Sequence, residues 1–123
     1  MWPLTMLFMK RIAGLVMFFA CALAFAGPAV EEQEEVRIYT PIEFFETDAA
    51  GKKGSSLGMP EMMEGGIKAK ILEVCKTEER EGEKGNWCKI QLRLGMWMED
   101  SSWIRKEAEV WCFLPEDAMI FRR

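Results

Sequence analysis

The feature that most constrains the fold is a pair of β-type runs around a polar, glycine-containing loop, in residues 66–94. In the second run one set of alternating residues is apolar, namely Cys88, Ile90, Leu92 and Leu94. The residues that alternate with them are Trp87, Lys89, Gln91 and Arg93. A period of two places one set of side chains on a core face and the other on a solvent face of a strand. The stretch is therefore typical of a β-hairpin.

The rest of the chain adds shorter β-type runs and loops. Residues 36–45 form a β-rich run, but Pro41 cannot donate to a ladder and so predicts an edge strand or two short strands. Residues 47–56 have loop composition, and the connection 95–109 contains a predicted helical turn at 101–108. Two further short strands follow this connection. About five short strands separated by turns predict an all-β fold, a small barrel or sandwich.

The N-terminus has the pattern of a secretory signal peptide. Lys10 and Arg11 precede an apolar run, residues 12–26, that ends in the small-x-small site Ala24-Phe25-Ala26. The run is shorter than the roughly 20 residues that a transmembrane anchor needs. Two alternatives stay open, an anchor and a lipoprotein acylated at Cys21. The pattern predicts export to the periplasm or the extracellular space, and no stable membrane span after cleavage.

This cleavage divides the 123-residue chain into a signal peptide (1–26), an acidic leader (27–35) and one β-domain (36–123). The true start codon stays open, because Met9 also precedes a typical signal sequence. Loss of Lys10 and Arg11 changes the formal net charge from −4 to −6. A domain of this size buries only about two-thirds of its unfolded surface, so a covalent cross-link would add useful stability.

The composition excludes several classes of function. The chain contains no histidine, which removes the commonest general base and the commonest metal ligand. It also removes the Ser-His and Cys-His nucleophile arrangements. A negative net charge argues against nucleic-acid binding, which requires a basic surface. The cysteines form no CxxC motif and histidine is absent, so we predict no metal site. The spacing of the acidic residues does not single out a catalytic pair, and we predict no cofactor and no catalytic residue.

Three cysteines remain after the predicted cleavage, and a disulfide is the default in an oxidising compartment. If Glu81-Gly82 is the two-residue tip of the hairpin, Cys75 and Cys88 lie directly opposite each other on neighbouring strands. The sequence therefore predicts a Cys75–Cys88 disulfide. A Cys88–Cys112 bond stays open as the alternative, because the connection 95–109 hides the register of the next strand pair.

Four stretches of the chain resemble those of bacterial SH3-like (SH3b) domains, over roughly residues 36–121. Residues 66–74 (GIKAKILEV) resemble the strand that follows the glycine turn of that family. Residues 86–90 (NWCKI) resemble its third strand, and residues 110–113 (VWCF) resemble a later strand. Residues 114–117 (LPED) resemble the 3₁₀ turn before the last strand. The resemblance implies a small SH3-like barrel of about five strands.

The resemblance also implies an aromatic ligand groove between the loops 46–56 and 77–85. Trp87 matches the groove tryptophan of the family, and Tyr39 matches the aromatic residue of its first strand. Trp97 and Trp111 are further ligand-binding candidates, for which a packing role is the alternative. Rigid aromatic side chains of this kind suit an extended or proline-rich peptide.

These observations predict a non-catalytic exported binding module of SH3b type. Its predicted partner is an envelope protein, a peptide or a cell-wall component. The acidic charge gives no attraction to anionic wall polymers, which favours a protein or peptide. The alternative is a small envelope enzyme inhibitor or accessory subunit that acts through the 95–109 loop.

Overall fold

The computed structural model describes residues 30–122, and these residues fold as nine β-strands without a helix. The signal peptide predicted at residues 1–26 lies outside the described residues. The strands are β1 Glu35–Ile38, β2 Phe44–Thr47, β3 Lys53–Gly58, β4 Ile67–Arg80, β5 Glu83–Leu92, β6 Met96–Trp97, β7 Trp103–Ile104, β8 Glu109–Pro115 and β9 Ile120–Arg122. The predicted all-β fold is confirmed.

Seven of the strands form one antiparallel sheet in the order β3-β2-β8-β5-β4-β1-β9, and β6 and β7 form a separate two-stranded hairpin. Within the described residues β3 and β9 are the two edges, so the sheet does not close on itself. The β6–β7 hairpin replaces the helical turn predicted at 101–108. Asp100 explains this difference, because its side chain accepts the backbone N–H of Ser102 at 2.9 Å and so closes a tight turn.

The long β4–β5 hairpin has the predicted two-residue tip. Glu81 and Gly82 have φ angles of 53° and 85°, as a type I′ turn requires, and Arg80 pairs with Glu83 across them. The register then shifts at a bulge, because two residues of β4 between Val74 and Thr77 lie opposite one residue of β5.

The buried side chain of Asn86 holds this bulge in place. Its amide nitrogen donates to the carbonyl oxygen of Cys75 at 2.8 Å and lies 3.1 Å from the hydroxyl of Thr77. As a result Val74, not Cys75, lies opposite Cys88. The predicted Cys75–Cys88 disulfide is not formed in the structure, and Cys75, Cys88 and Cys112 are all free thiols.

The core lies on one face of β4, β5 and β8, which we call the inner face. Its members are fully or almost fully buried, and they include Ile67, Ala69, Ile71, Cys88, Ile90, Leu92, Val110, Cys112 and Leu114. The opposite, outer face of β5 and β8 carries Trp87 and Lys89, with Phe113 and Trp111 directly across from them. The alternation predicted for β5 therefore sets both faces of the sheet.

Part of the predicted acidic leader belongs to the fold. Val30 is buried in the core, and the backbone of Gln33 and Glu34 bonds to Ile71 at 2.7 and 2.9 Å. The carboxylate of Glu34 also pairs with Arg122 of β9. Gln33 and Glu34 therefore extend the pairing of β1 with β4, and Val30 anchors the segment in the core.

Candidate functional site

The outer face carries an aromatic cluster around Trp87. The Trp87 ring lies edge-on to Phe45 at 5.2 Å and to Phe113 at 5.5 Å, measured between ring centroids. Phe113 is the direct cross-strand partner of Trp87, and β2 brings in Phe45 on the other side of β8. Such edge-to-face pairs are stabilising beyond the area they bury. We call these three residues the Trp87 cluster.

Two cations cover the Trp87 cluster. The ammonium of Lys53, from β3, lies 4.8 Å from the Phe45 ring centre and 5.2 Å from that of Trp87. The guanidinium of Arg80, from the β4–β5 tip, lies 5.2 Å from Trp87 and 5.9 Å from Phe113. All four distances are within the range of a cation–π interaction.

The polar edge of Trp87 is also engaged within the chain. Its indole N–H donates to a carboxylate oxygen of Glu78 at 3.0 Å. Arg80 lies 3.9 Å from a carboxylate oxygen of Glu43. The two loops that the family resemblance assigns to a groove therefore do meet at Trp87, but their side chains cover the ring. The residues that sequence reasoning missed here are Phe45, Phe113, Lys53 and Arg80.

The other predicted ligand-binding residues lie elsewhere. Tyr39 follows β1 and packs edge-on against Phe121 of β9 at 5.1 Å. Trp111 is buried, with 3% of its surface exposed, and the ammonium of Lys89 lies 5.8 Å from its ring centre. The aromatic contacts of the described residues therefore join Tyr39 to Phe121, on the other side of β4, and do not include it in the Trp87 cluster.

Trp111 has one unusual feature. Its indole nitrogen is buried and has no hydrogen-bond partner among the described residues. A buried donor without an acceptor costs about 1–3 kcal/mol. Trp111 is therefore buried between its backbone neighbours Phe45 of β2 and Lys89 of β5.

Trp97, in contrast, forms an exposed aromatic pair. Trp97 and Trp103 are direct partners in the β6–β7 hairpin, with ring centroids 4.9 Å apart and planes at 64°. Their exposed fractions are 51% and 53%. Trp103 also lies against the backbone of Gly95, where an added Cβ would come within 2.2 Å of the ring. We call Trp97 and Trp103 the tryptophan pair.

A groove of about 470 Å³ adjoins Trp103. It lies where β2 meets β8, next to the Glu46–Val110 pair and the hydrogen bond that the Thr47 hydroxyl donates to the carbonyl of Glu109 at 3.0 Å. Its apolar lining is Leu57, Trp103, Ile104, Ala108 and Val110, and its polar lining is Glu46, Thr47, Arg105 and Glu109. Sequence analysis did not single out Trp103 or Leu57 for binding. The available signal for the tryptophan pair was the turn sequence Asp-Ser-Ser between the two tryptophans, which indicates a short hairpin.

The described residues do not include a group of three or more Cys, Asp or Glu side chains placed to hold a metal ion. Residues 30–122 also contain no helix of the length and apolarity required to cross a bilayer.

Comparison with known proteins returns no matching family model, no matching curated protein and no matching solved structure. The geometry of the described residues is therefore the basis for a functional proposal.

Proposed function

We propose that the chain is a non-catalytic binding module of SH3-like type, which binds a partner protein through the tryptophan pair and the groove beside it. The observation that carries this proposal is the half-exposed state of two indole rings packed edge-on on one hairpin. Tryptophan gives a large contact area at low entropy cost and is enriched among the residues that dominate binding energy.

The tryptophan pair is held in place before any partner binds. The backbone N–H of Glu61 donates to the carbonyl of Trp97 at 2.8 Å, and the N–H of Glu99 donates to Met59 at 2.8 Å. On either side of Trp97, Met96 and Met98 are buried in the core. A pre-organised surface loses little conformational entropy on binding, which raises affinity.

The groove supplies the second part of the surface. An apolar floor of Leu57, Ile104 and Val110 lies next to Trp103, and charged residues such as Arg105 and Glu109 stand at its rim. An apolar centre with a polar rim is the usual anatomy of a protein interface. The partner in this proposal inserts an apolar side chain into the groove and covers Trp103.

The proposed location is the cell envelope, on the basis of Lys10-Arg11 and the Ala24-x-Ala26 site. A second candidate function, a small envelope enzyme inhibitor or accessory subunit, is favoured by the position of the tryptophan pair on the 95–109 connection. In that case the partner is an enzyme whose activity changes on binding. A peptide or cell-wall ligand at the Trp87 cluster would instead require Lys53 and Arg80 to move away from the rings.

The test is affinity capture from bacterial envelope extract with four forms of the protein: wild type, Trp97→Ala, Trp103→Ala and Phe121→Ala. Phe121 is the matched control, because it is 58% exposed on the far edge strand of the sheet. We expect one stoichiometric partner that the wild type and the Phe121 variant retain and that both tryptophan variants lose.

An activity assay on the captured partner then separates a binding module from an enzyme inhibitor. Capture that is equal for all four forms, or that is lost equally with Phe121→Ala, would contradict the proposed surface. Capture of wall fragments alone would contradict the proposal of a protein partner.

A further inference from the structure

We propose that Cys88 and Cys112 form a disulfide in oxidising surroundings, so that the segment carrying the tryptophan pair becomes a covalently closed loop. The two residues are direct partners in the register of β5 and β8. Both are fully buried on the inner face of the sheet. Because they occupy the same face at the same register position, their side chains point into the same part of the core.

The backbone hydrogen bonds define the geometry of this pair. Glu116 N–H donates to the carbonyl of Lys84 at 2.8 Å, and Leu92 N–H donates to that of Ala108 at 3.0 Å. These two residue pairs lie four positions to either side of Cys88 and Cys112, so the cysteines also occupy a hydrogen-bonded position of the ladder. The Cα atoms of such a pair are about 5.5 Å apart, which lies in the range that disulfides prefer. Their Cβ atoms are up to about 5.5 Å apart, so the two strands move about 1 Å closer together at this position when the bond forms.

Cys75 is excluded from this bond by the bulge in β4. Val74 takes the position opposite Cys88, so Cys75 has no direct cross-strand partner on β5. Cys75 therefore lies within the bulge, out of register with Cys88, while Cys112 is the direct partner of Cys88 on β8.

The reaction requires an oxidant, for which a disulfide such as oxidised glutathione is sufficient. The thiolate of one cysteine attacks a sulfur of the oxidant, forms a mixed disulfide and releases the first glutathione thiolate. The thiolate of the other cysteine then attacks the protein sulfur of that mixed disulfide and releases the second. In total, two protein thiols are oxidised to one disulfide and one oxidised glutathione is reduced to two glutathione molecules.

This bond forms before the core closes. Burial, with a smaller contribution from the Cys75 charge, raises the pKa of the Cys88 thiol to about 12. Burial also raises the pKa of Cys112 well above its usual range, with a smaller contribution from Cys88. Buried thiols of this kind stay protonated and unreactive at neutral pH. In the folded, reduced protein the oxidation of Cys88 and Cys112 therefore requires an opening of the core. In the unfolded chain both thiols are accessible, and their oxidation is faster than in the folded protein.

Tryptic peptide mapping tests the proposal on the full chain, refolded with oxidised glutathione and alkylated without reduction. Trypsin separates the three cysteines into peptides 71–76, 85–89 and 107–122. We expect peptides 85–89 and 107–122 to be linked and peptide 71–76 to be alkylated. A bond that involves peptide 71–76 or the peptide of Cys21, or alkylation of both Cys88 and Cys112, would overturn the proposal.

Thermal unfolding gives a second measurement. A disulfide that closes a loop of this length stabilises a small domain enough to shift Tm on the order of 10 °C. We expect a reductant to lower the Tm of wild type and of the Cys75→Ser control by that amount. The Tm of the Cys112→Ser variant should not respond. A response to reductant that persists in Cys112→Ser would show that another bond is responsible.

Discussion

The Trp87 cluster and the tryptophan pair use the same contact in two different settings. Both consist of aromatic rings packed edge-on, at 5.2 and 5.5 Å around Trp87 and at 4.9 Å between Trp97 and Trp103. Around Trp87, Lys53 and Arg80 lie over the rings, and Glu78 binds the indole N–H. Trp97 and Trp103 remain half exposed.

The difference shows that an aromatic residue near two loops does not by itself define a ligand groove. The groups that cover Trp87 are Lys53, from the sequence-distant strand β3, and Arg80 and Glu78, from the neighbouring strand of its own hairpin. With Lys53 and Arg80 over its rings, the Trp87 cluster joins the β2–β3 hairpin to the β4–β5 hairpin and so stabilises the fold. The tryptophan pair lacks such cover among the described residues, and its surface stays available to a partner.

The largest expected effect is on stability, from Trp87→Ala. Removal of this ring breaks the contacts to Phe45 and Phe113 and leaves Glu78 without its indole donor. We expect a loss of about 3 kcal/mol in the free energy of unfolding, measured by urea denaturation. Partner capture by the folded fraction should stay unchanged. A variant with native stability and weakened capture would reverse the assignment of the two regions.

The second effect is on binding, from Trp97→Ala or Trp103→Ala. Truncation of a central interface tryptophan typically costs about 2 kcal/mol or more, which is roughly a 30-fold rise in Kd. The loss of the aromatic pair should lower stability by only about 1 kcal/mol. Calorimetric titration with the captured partner measures the first quantity, and urea denaturation measures the second. The comparison fails if the losses in binding and stability have the opposite ranking.

The third prediction is that the Trp87 cluster becomes open when its cations are removed. The double variant Lys53→Ala/Arg80→Ala should lose about 1–2 kcal/mol of stability, since each cation–π contact contributes about 0.5–1 kcal/mol at an exposed site. Hydrogen exchange of the Trp87 indole N–H, followed by NMR, should become faster. Lys84→Ala/Lys106→Ala is the matched control, because it removes the same charge from exposed positions that do not pair with Trp87. Equal exchange rates in both variants would show that the cations do not cover the ring.

The smallest effect is expected from Gly95→Ala. The added Cβ would collide with the Trp103 ring at 2.2 Å, so the ring must move away from the Gly95 backbone. We expect about a fivefold loss of affinity, which corresponds to about 1 kcal/mol. In a Trp103→Ala background the same substitution should have no further effect on affinity, because the collision is gone. A full effect in that background would mean that Gly95 acts through the backbone and not through Trp103.

The sequence predicted the features that depend on neighbouring residues. The Glu81-Gly82 tip and the inner face of β5 follow from glycine chemistry and from a period of two, which are local signals. The bulge after Val74 was not predictable, because the side chain of Asn86 stabilises it from the opposite strand. The same holds for the burial of Trp111 and the cover over Trp87, since both depend on where the distant β2–β3 hairpin packs.

The buried, unpartnered indole of Trp111 has an optical consequence. With few water dipoles near it to relax its excited state, Trp111 should emit at the blue end of the tryptophan range. Trp97 and Trp103, which are half exposed to water, should emit at the red end. The native fluorescence spectrum then contains a red component from Trp97 and Trp103 and a blue component from Trp111, beside the emission of the two other tryptophans. The red component reports contact with a partner, and the blue component reports the integrity of the core.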